Sequence, residues 1–443
     1  MSADGEALPA AERIARLLRH LGIARAHFGA QISNDLNGLL TSRPEAVSSL
    51  TLLSPNRLEP DILAPLGSRL LLCGGDRGLA IPAAERTRRL PDARVVSFEG
   101  YGVYAWSDTA ADHAEAVLEA MLEHLAAAEA AAPAGRLDQA PPPGEVAGIR
   151  YAVAGAGPAL VLLPLLLAPT QWRPLIERLA RRFAVVSLGG PELGMLRLLE
   201  TRGTTPGYLR IVKSVVDELA PAPGERILDV GCGTGALDRW LVRHTGGANA
   251  VTALDLNPFL LDEARRLAAR DRLAGAISFI AGDAEALPFA DGAFDVVMSH
   301  TVMEECDAER MLAELIRVAR PGGRVGVMVR GVDLPMFWNV ELPAPLKARI
   351  EEAIVSVGER GCADASLYRR FAASGLAELR LFPHVMTSDD PDGPIVSYYE
   401  PHLLSKLDPA ESRLWREAKA SAVAEGSFLF ARPHHCAVGT KPG

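Results

Sequence analysis

The chain has 443 residues, of which 49% are hydrophobic and 23% charged, and a net charge of −9. That length holds two or three domains with a large core, and the acidic balance without a Lys/Arg-rich run argues against a general nucleic-acid-binding surface. No apolar stretch reaches the roughly 18 residues a membrane span needs, and the polar start MSADGEALPAAER is unlike a secretory signal. The cysteines Cys73, Cys232, Cys306, Cys362 and Cys436 are scattered and form no CxxC pair, which predicts a reducing, cytoplasmic setting.

Residues 9 to 23 read as a helix with Ile14, Leu17, Leu18 and Leu21 on one face. Short apolar segments at 26–30, 48–54, 69–74 and 93–98 alternate with helical ones, and an alanine- and leucine-rich helix runs from about Ala110 to Leu125. Strands alternating with helices predict a mostly parallel, doubly wound α/β sheet. Residues 126–144, AAAEAAAPAGRLDQAPPPG, lack apolar periodicity and read as a linker. Beyond them, GIRYAVAGAGPALVLLPLLLAPTQWRPLIERLARRFAVVSLGG reads as a hairpin, a buried strand, a helix and another strand. A domain boundary is expected near residue 195, separating 1–195 from 196–443.

The second half is organised around residues 225–236, ERILDVGCGTGA. A helix over 206–219 precedes them, with Leu209, Val212, Val215, Val216 and Leu219 as its apolar face. Ile227, Leu228 and Val230 predict a strand buried on both faces, and Gly231, Gly233 and Gly235 then turn the chain into an amphipathic helix. A strand, a glycine turn and a helix start form a nucleotide-type site, where Asp229 can accept hydrogen bonds from a cationic group. Asp255 ends the next strand, 20 residues past Gly235, where a carboxylate can accept both hydroxyls of a ribose. A third strand leads to Gly282, Asp283 and Ala284, and a fourth, FDVVMSH, ends at His300 with Glu304 and Glu305 just beyond. The pattern G-x-G-x-x-G/A is also met, so an NAD site competes at this point.

The first half resembles the α/β-hydrolase family, with departures. The segment around RAHFGAQIS looks like that family's nucleophile strand and elbow, yet Gln31 stands where the serine is expected and Ser33 is out of register. Arg77, with Asp76 beside it, occupies the acid position, and Val103 the position of the histidine in SFEGYGVYAW. His113 on the following helix is expected at the solvated surface. Pro164 and Leu165 replace the His-Gly that opens the oxyanion loop. The family's early half follows its late half, which implies a permuted hydrolase-like sheet, or else two fragments that do not complete each other. Hydrolytic chemistry is not expected; a structural, substrate-shielding or dimerising role is.

Residues 205–331 resemble class I S-adenosylmethionine-dependent methyltransferases, nearest to the small-molecule group of ubiquinone and menaquinone biosynthesis. LDVGCGTG, LDLNP, GDAEALPF, FDVVMSH and RPGGRV follow in the family's order, and the leading helix, the GDAEALPF loop and the RPGG turn have no role in an NAD fingerprint. The resemblance implies a Rossmann-like domain with S-adenosyl-L-methionine as cofactor and a small-molecule methyl acceptor. It assigns cofactor binding to Asp229, Gly231, Cys232, Gly233, Gly235, Asp255, Leu256, Asp283, Ala284 and His300, and catalysis to His300 with Glu304. An insertion over about 332–425 faces the substrate, with Phe337, Trp338, Tyr368, Tyr398 and Tyr399 for either an apolar pocket or core packing, and the last two strands close as an antiparallel hairpin. His434, His435 and Cys436 suggest a metal site, but strand neighbours point to opposite faces, so no metal is expected. A non-catalytic S-adenosylmethionine binder and a bifunctional methyltransferase/hydrolase remain as alternatives, and a homodimer is left open.

Overall fold

The computed structural model describes residues 8–78, 80–103, 107–166, 168, 170–352, 357–404 and 407–443. The ends of several segments read above, at 1–7, 79, 104–106, 167, 169 and 353–356, lie outside the described residues. The chain divides into two compact units, Met1–Arg197 and Leu198–Gly443.

The first unit holds β1 (Ala26–Ala30), β2 (Val47–Leu53), β3 (Leu70–Gly78), β4 (Arg94–Val103), β5 (Arg136–Leu137), β6 (Gly144–Val146), β7 (Ile149–Ala154), β8 (Gly157–Leu162) and β9 (Ala184–Gly189). Their order is β4-β3-β2-β1-β8-β9-β7-β6, with β5 beside β8. Parallel pairing of β1 with β8 joins the two sequence segments into one continuous sheet, so they complete each other rather than standing as separate fragments. Alternation along the strands feeds two cores. Phe28, Leu50, Leu72 and Val161 face helix Ala10–His20, whereas Leu53, Leu71, Leu160 and Leu162 face helices Ala114–Ala131 and Arg173–Leu179.

The stretch expected to be a linker is built into this unit. Helix Ala114–Ala131 runs through its first six residues, with Leu125 and Ala128 buried, and Arg136 and Leu137 pair with β8. Alanine fills the inward positions here, so the apolar periodicity that marks longer side chains is weak although the face is packed. His113 is also misplaced by the expectation. Its ring stacks on Phe98 at 4.1 Å between centroids and meets Tyr101 edge-on at 4.5 Å, a sandwich rather than a solvated surface.

The second unit holds β10 (Ile227–Val230), β11 (Val251–Asp255), β12 (Ile277–Ala281), β13 (Phe294–His300), β14 (Ala319–Arg330), β15 (Phe337–Trp338), β16 (Ala377–Ser388) and β17 (Phe430–Thr440). Their order is β12-β11-β10-β13-β14-β17-β15, with β16 beside β17; β10 to β14 are parallel and β17 runs against both β14 and β16. Ile227, Val296, Met298 and Met328 face one core, and Leu228, Val297, Val325 and Val327 the other. Both units are therefore α/β, mostly parallel and packed on both faces, and the second has a Rossmann-like plan. The last two strands pair in the expected antiparallel register, but helices Pro394–Leu404 and Pro409–Ala424 join them where a hairpin turn was expected. Among the described residues, no helix is long and apolar enough to cross a membrane.

Candidate cofactor and acceptor site

In an open parallel sheet the ligand crevice lies beyond the carboxyl ends of the strands where the winding reverses. Here that point is between β10 and β13, and it gathers Asp229, the glycine turn, Asp255 and His300. Gly231, Gly233 and Gly235 all take positive φ, at 82°, 57° and 68°. At Gly231 the space is also closed, because an added Cβ would meet a Val302 methyl at 2.1 Å. Glycine is thus required at this position on two counts. The amides of Gly231 and Cys232 both donate to the Leu254 carbonyl, which locks the turn against the end of β11.

Asp255 braces the same turn. One carboxylate oxygen accepts from the Gly233 amide at 2.7 Å and the other from the Asn257 amide at 2.8 Å. Burial pushes its carboxyl up from the ordinary range, with the backbone amides pulling the other way. Asn257 in turn caps helix Pro258–Arg270, its side chain accepting from Phe259 and Leu260. Leu256, between them, is 57% exposed, an apolar surface at the crevice mouth. Asp283 is exposed and accepts from the Glu285 amide at 2.9 Å, while Ala284 packs at the margin of the core. The Gly282 amide donates to the Asp255 carbonyl at 3.1 Å, so the two loops are tied together.

Asp229 and His300 are 2% and 4% exposed, with 3.6 Å between Asp229 Oδ1 and His300 Nδ1. That separation is too long for a hydrogen bond. Asp229 Oδ1 and both ring nitrogens of His300 are buried without a partner. Asp238, one turn into helix Ala236–His244, is fully buried with both carboxylate oxygens unpartnered. Burial first, and then the Asp229 carboxylate, hold Asp238 well above the usual carboxylate range. Orphaned buried polar atoms are costly, and here they concentrate at one strand end. Cys232 is buried, its thiol pushed well up by burial and by Asp238, Asp255 and Asp229, so it is no nucleophile.

Glu304 does not stand free behind His300 as expected of a general base. It is fully buried, and its oxygens accept from the Arg330 amide at 2.5 Å and from the Arg330 guanidinium at 2.9 Å. It is an ion-pair partner, and Glu305 shares the same guanidinium at 3.1 Å. The five aromatic residues are divided between core packing and other contacts. Trp338 packs on Trp415 and Phe430 in the core, Phe337 is exposed, and Tyr368 bonds His435, leaving Tyr399 against Arg432. His434 packs edge-on to Tyr208, and His435 bonds Tyr368 and Asp333 at 2.9 and 2.7 Å.

Several residues of the site carried no signal in the reading above. Glu200 accepts from Thr234 at 2.6 Å and from Arg239 at 2.5 Å, clamping the helix that follows the turn. Arg202 donates to the Thr301 hydroxyl at 3.2 Å, directly after His300, where Thr301 holds a left-handed φ of 57°. Asp238 alone had a local cue, its place one turn after the glycines.

In the first unit, the positions compared above with a hydrolase triad are otherwise engaged. Gln31 accepts from the Leu166 amide at 2.7 Å and donates to the Ser54 carbonyl at 3.2 Å. Ser33 and Val103 are buried, Asp76 accepts from the Gly100 amide, and the Arg77 side chain is 71% exposed.

A parallel sheet ordered this way, with a glycine turn after its central strand and acidic residues ending that strand and its neighbour, defines a class I methyltransferase fold. Residues 227–323 match the family model described as methyltransferase domain. The unit that carries them is similar in sequence to class I S-adenosylmethionine-dependent methyltransferases. The chain is 39% identical over 124 residues to a ubiquinone/menaquinone biosynthesis C-methyltransferase of Ruegeria, covering 28% of this chain and 49% of that protein. It is 37% identical over 144 residues to a malonyl-[acyl-carrier protein] O-methyltransferase of Erwinia billingiae, covering 31% and 53%. An uncharacterized methyltransferase of Bacillus subtilis is 33% identical over 144 residues, covering 32% and 60%. The chain thus spans about half the length of the curated relatives it matches.

Proposed function

We propose that the chain is an S-adenosylmethionine-dependent methyltransferase of a small molecule, with the crevice at Asp229, Gly231 and His300 as its active site. The observation that carries this reading is the set of buried, unpartnered atoms of Asp229 and His300 beside a turn that only glycine can make. The fit to the cofactor follows from the chemistry of the donors. Asp229 offers a buried carboxylate oxygen to the ammonium, Asp255 retains lone pairs for the ribose hydroxyls, and Leu256 offers an exposed apolar side chain to the adenine face. Asp283 and Ala284 border the adenine edge.

S-adenosylmethionine, when bound, supplies a methyl group already activated on a sulfonium. The protein's own work is to position and to exclude water. Gly231 and Gly233 bring the main chain close, Asp255 holds the turn through the Gly233 amide, and the buried His300 can take a proton from an acceptor through either ring nitrogen. The first unit, which we read as a permuted hydrolase-like sheet, serves a structural role without hydrolysis. Gln31 in the nucleophile position ties up the Leu166 amide of the adjoining loop. The five cysteines are free thiols, which supports a reducing compartment.

Calorimetry of the purified chain should show micromolar binding of S-adenosylmethionine. Asp255→Ala should weaken it at least tenfold, since the variant loses both the ribose acceptor and the brace on the glycine turn. Wild-type protein that binds no S-adenosylmethionine would remove the reading; unchanged affinity in the variant would remove Asp255 from the site.

A further inference from the structure

At the carboxyl ends of β13 and β14, beside the start of β17, three guanidinium groups converge. Arg330 is committed to Glu304 and Glu305. Arg202 bonds Thr301 and lies over the Tyr208 ring, 5.5 Å from its centroid. Arg432 differs from both. It is 1% exposed and stacks 4.7 Å from the Tyr399 ring centroid, and its Nη1 bonds the Tyr399 hydroxyl. Its Nε and Nη2 are buried with no hydrogen-bond partner, and among the described residues no carboxylate pairs with it.

Three guanidiniums against two carboxylates leave one cation in excess. An unpaired buried charge is expensive. Burial, with Arg330 adding to it, lowers the Arg432 guanidinium to about 9. Nε and Nη2 form the side edge of the guanidinium fork, whose spacing matches the two oxygens of one carboxylate. The Tyr208 hydroxyl, near Arg202, is a further buried group without a partner.

We propose that the methyl acceptor is a carboxylate-bearing small molecule whose carboxylate is held by Nε and Nη2 of Arg432, with Tyr399 fixing the guanidinium. A single uncompensated charge suits a monoanion better than a phosphate. The assignment rests on the methyltransferase reading of the adjacent crevice, but its test does not depend on cofactor binding.

Thermal-shift and calorimetric titrations of the full chain without cofactor would use benzoate and octanoate, their amides, and inorganic phosphate. At least one acid should raise Tm by several degrees while its amide leaves it unchanged. Arg432→Gln should raise the Kd of that acid tenfold or more at unchanged circular dichroism, and Arg432→Lys should fall between. Acids and amides acting alike, phosphate alone acting, no acid acting, or an Arg432→Gln protein that binds the acid as before would each overturn the proposal. Where Arg432→Gln does not fold, the acid-against-amide contrast on the wild-type chain decides. Failure of S-adenosylhomocysteine to bind in a parallel titration counts against the cofactor reading alone.

Discussion

Asp229 and Asp238 are two carboxylates buried at the same strand end. Burial first, and then the Asp229 carboxylate, hold the Asp238 carboxyl well above the usual carboxylate range, which favours its neutral form. The division of roles has a direct consequence. Asp238→Asn replaces a neutral acid by a neutral amide of the same shape, and S-adenosylhomocysteine affinity should change by less than about threefold. Asp229→Asn removes the charge that meets the ammonium and should cost at least tenfold, or about 1.4 kcal/mol. Calorimetry on the two variants checks this, and equal losses would show that the charge is shared. The placement of Asp229, the glycines and Asp255 was legible beforehand, because they sit at ends of strands that local apolar runs mark out. Glu304 was misread for the opposite reason. Its partner Arg330 lies 26 residues on, at the end of another strand, and no local pattern announces that pairing.

At the scale of elements, strands and helices with strong apolar periodicity stood out in the sequence, while those packed through small residues or distant pairings did not. Helix Ala114–Ala131 took the first six residues of the expected linker because alanines pack it. The cluster at Arg202, Arg330 and Arg432 likewise depends on β17 returning antiparallel beside β14, a register set by residues about a hundred positions apart. That alanine-rich helix also carries His124, which is 2% exposed and has Nε2 unpartnered. Burial, and then the charges of His27 and Arg94, lower it to about 4, against 6.5 in the unfolded chain. The folded form is therefore neutral where the unfolded chain already takes a proton. Stability is full above pH 6.5 and is lost as pH falls from 6.5 toward 4, by an amount on the order of 3 kcal/mol. His124→Leu should flatten this dependence in the first unit. Urea midpoints between pH 7 and 4, read on peptides of that unit by amide exchange, provide the check, and a wild-type slope persisting in the variant would contradict it.

For the whole molecule, each unit has two cores of its own, one on either face of its sheet, and every residue of a given core comes from a single unit. The cofactor crevice belongs to Leu198–Gly443 alone, since Asp229, Gly231, Asp255 and His300 all fall within it. Anything that binds only the folded form stabilises what it binds, by about 2.7 kcal/mol at a hundred times its Kd. If each pair of cores is a separate cooperative block, S-adenosylhomocysteine should move the unfolding of the second unit and leave that of the first where it was. Amide exchange by mass spectrometry across a urea series separates the outcomes. Peptides from β10 to β14 should shift to higher urea with ligand, and peptides from β1 to β4 should not. A common shift in both sets would instead mean that the sheets of the two units unfold as one block. In that case substitutions in the first unit, such as those around Gln31, would be expected to weaken cofactor binding through stability alone.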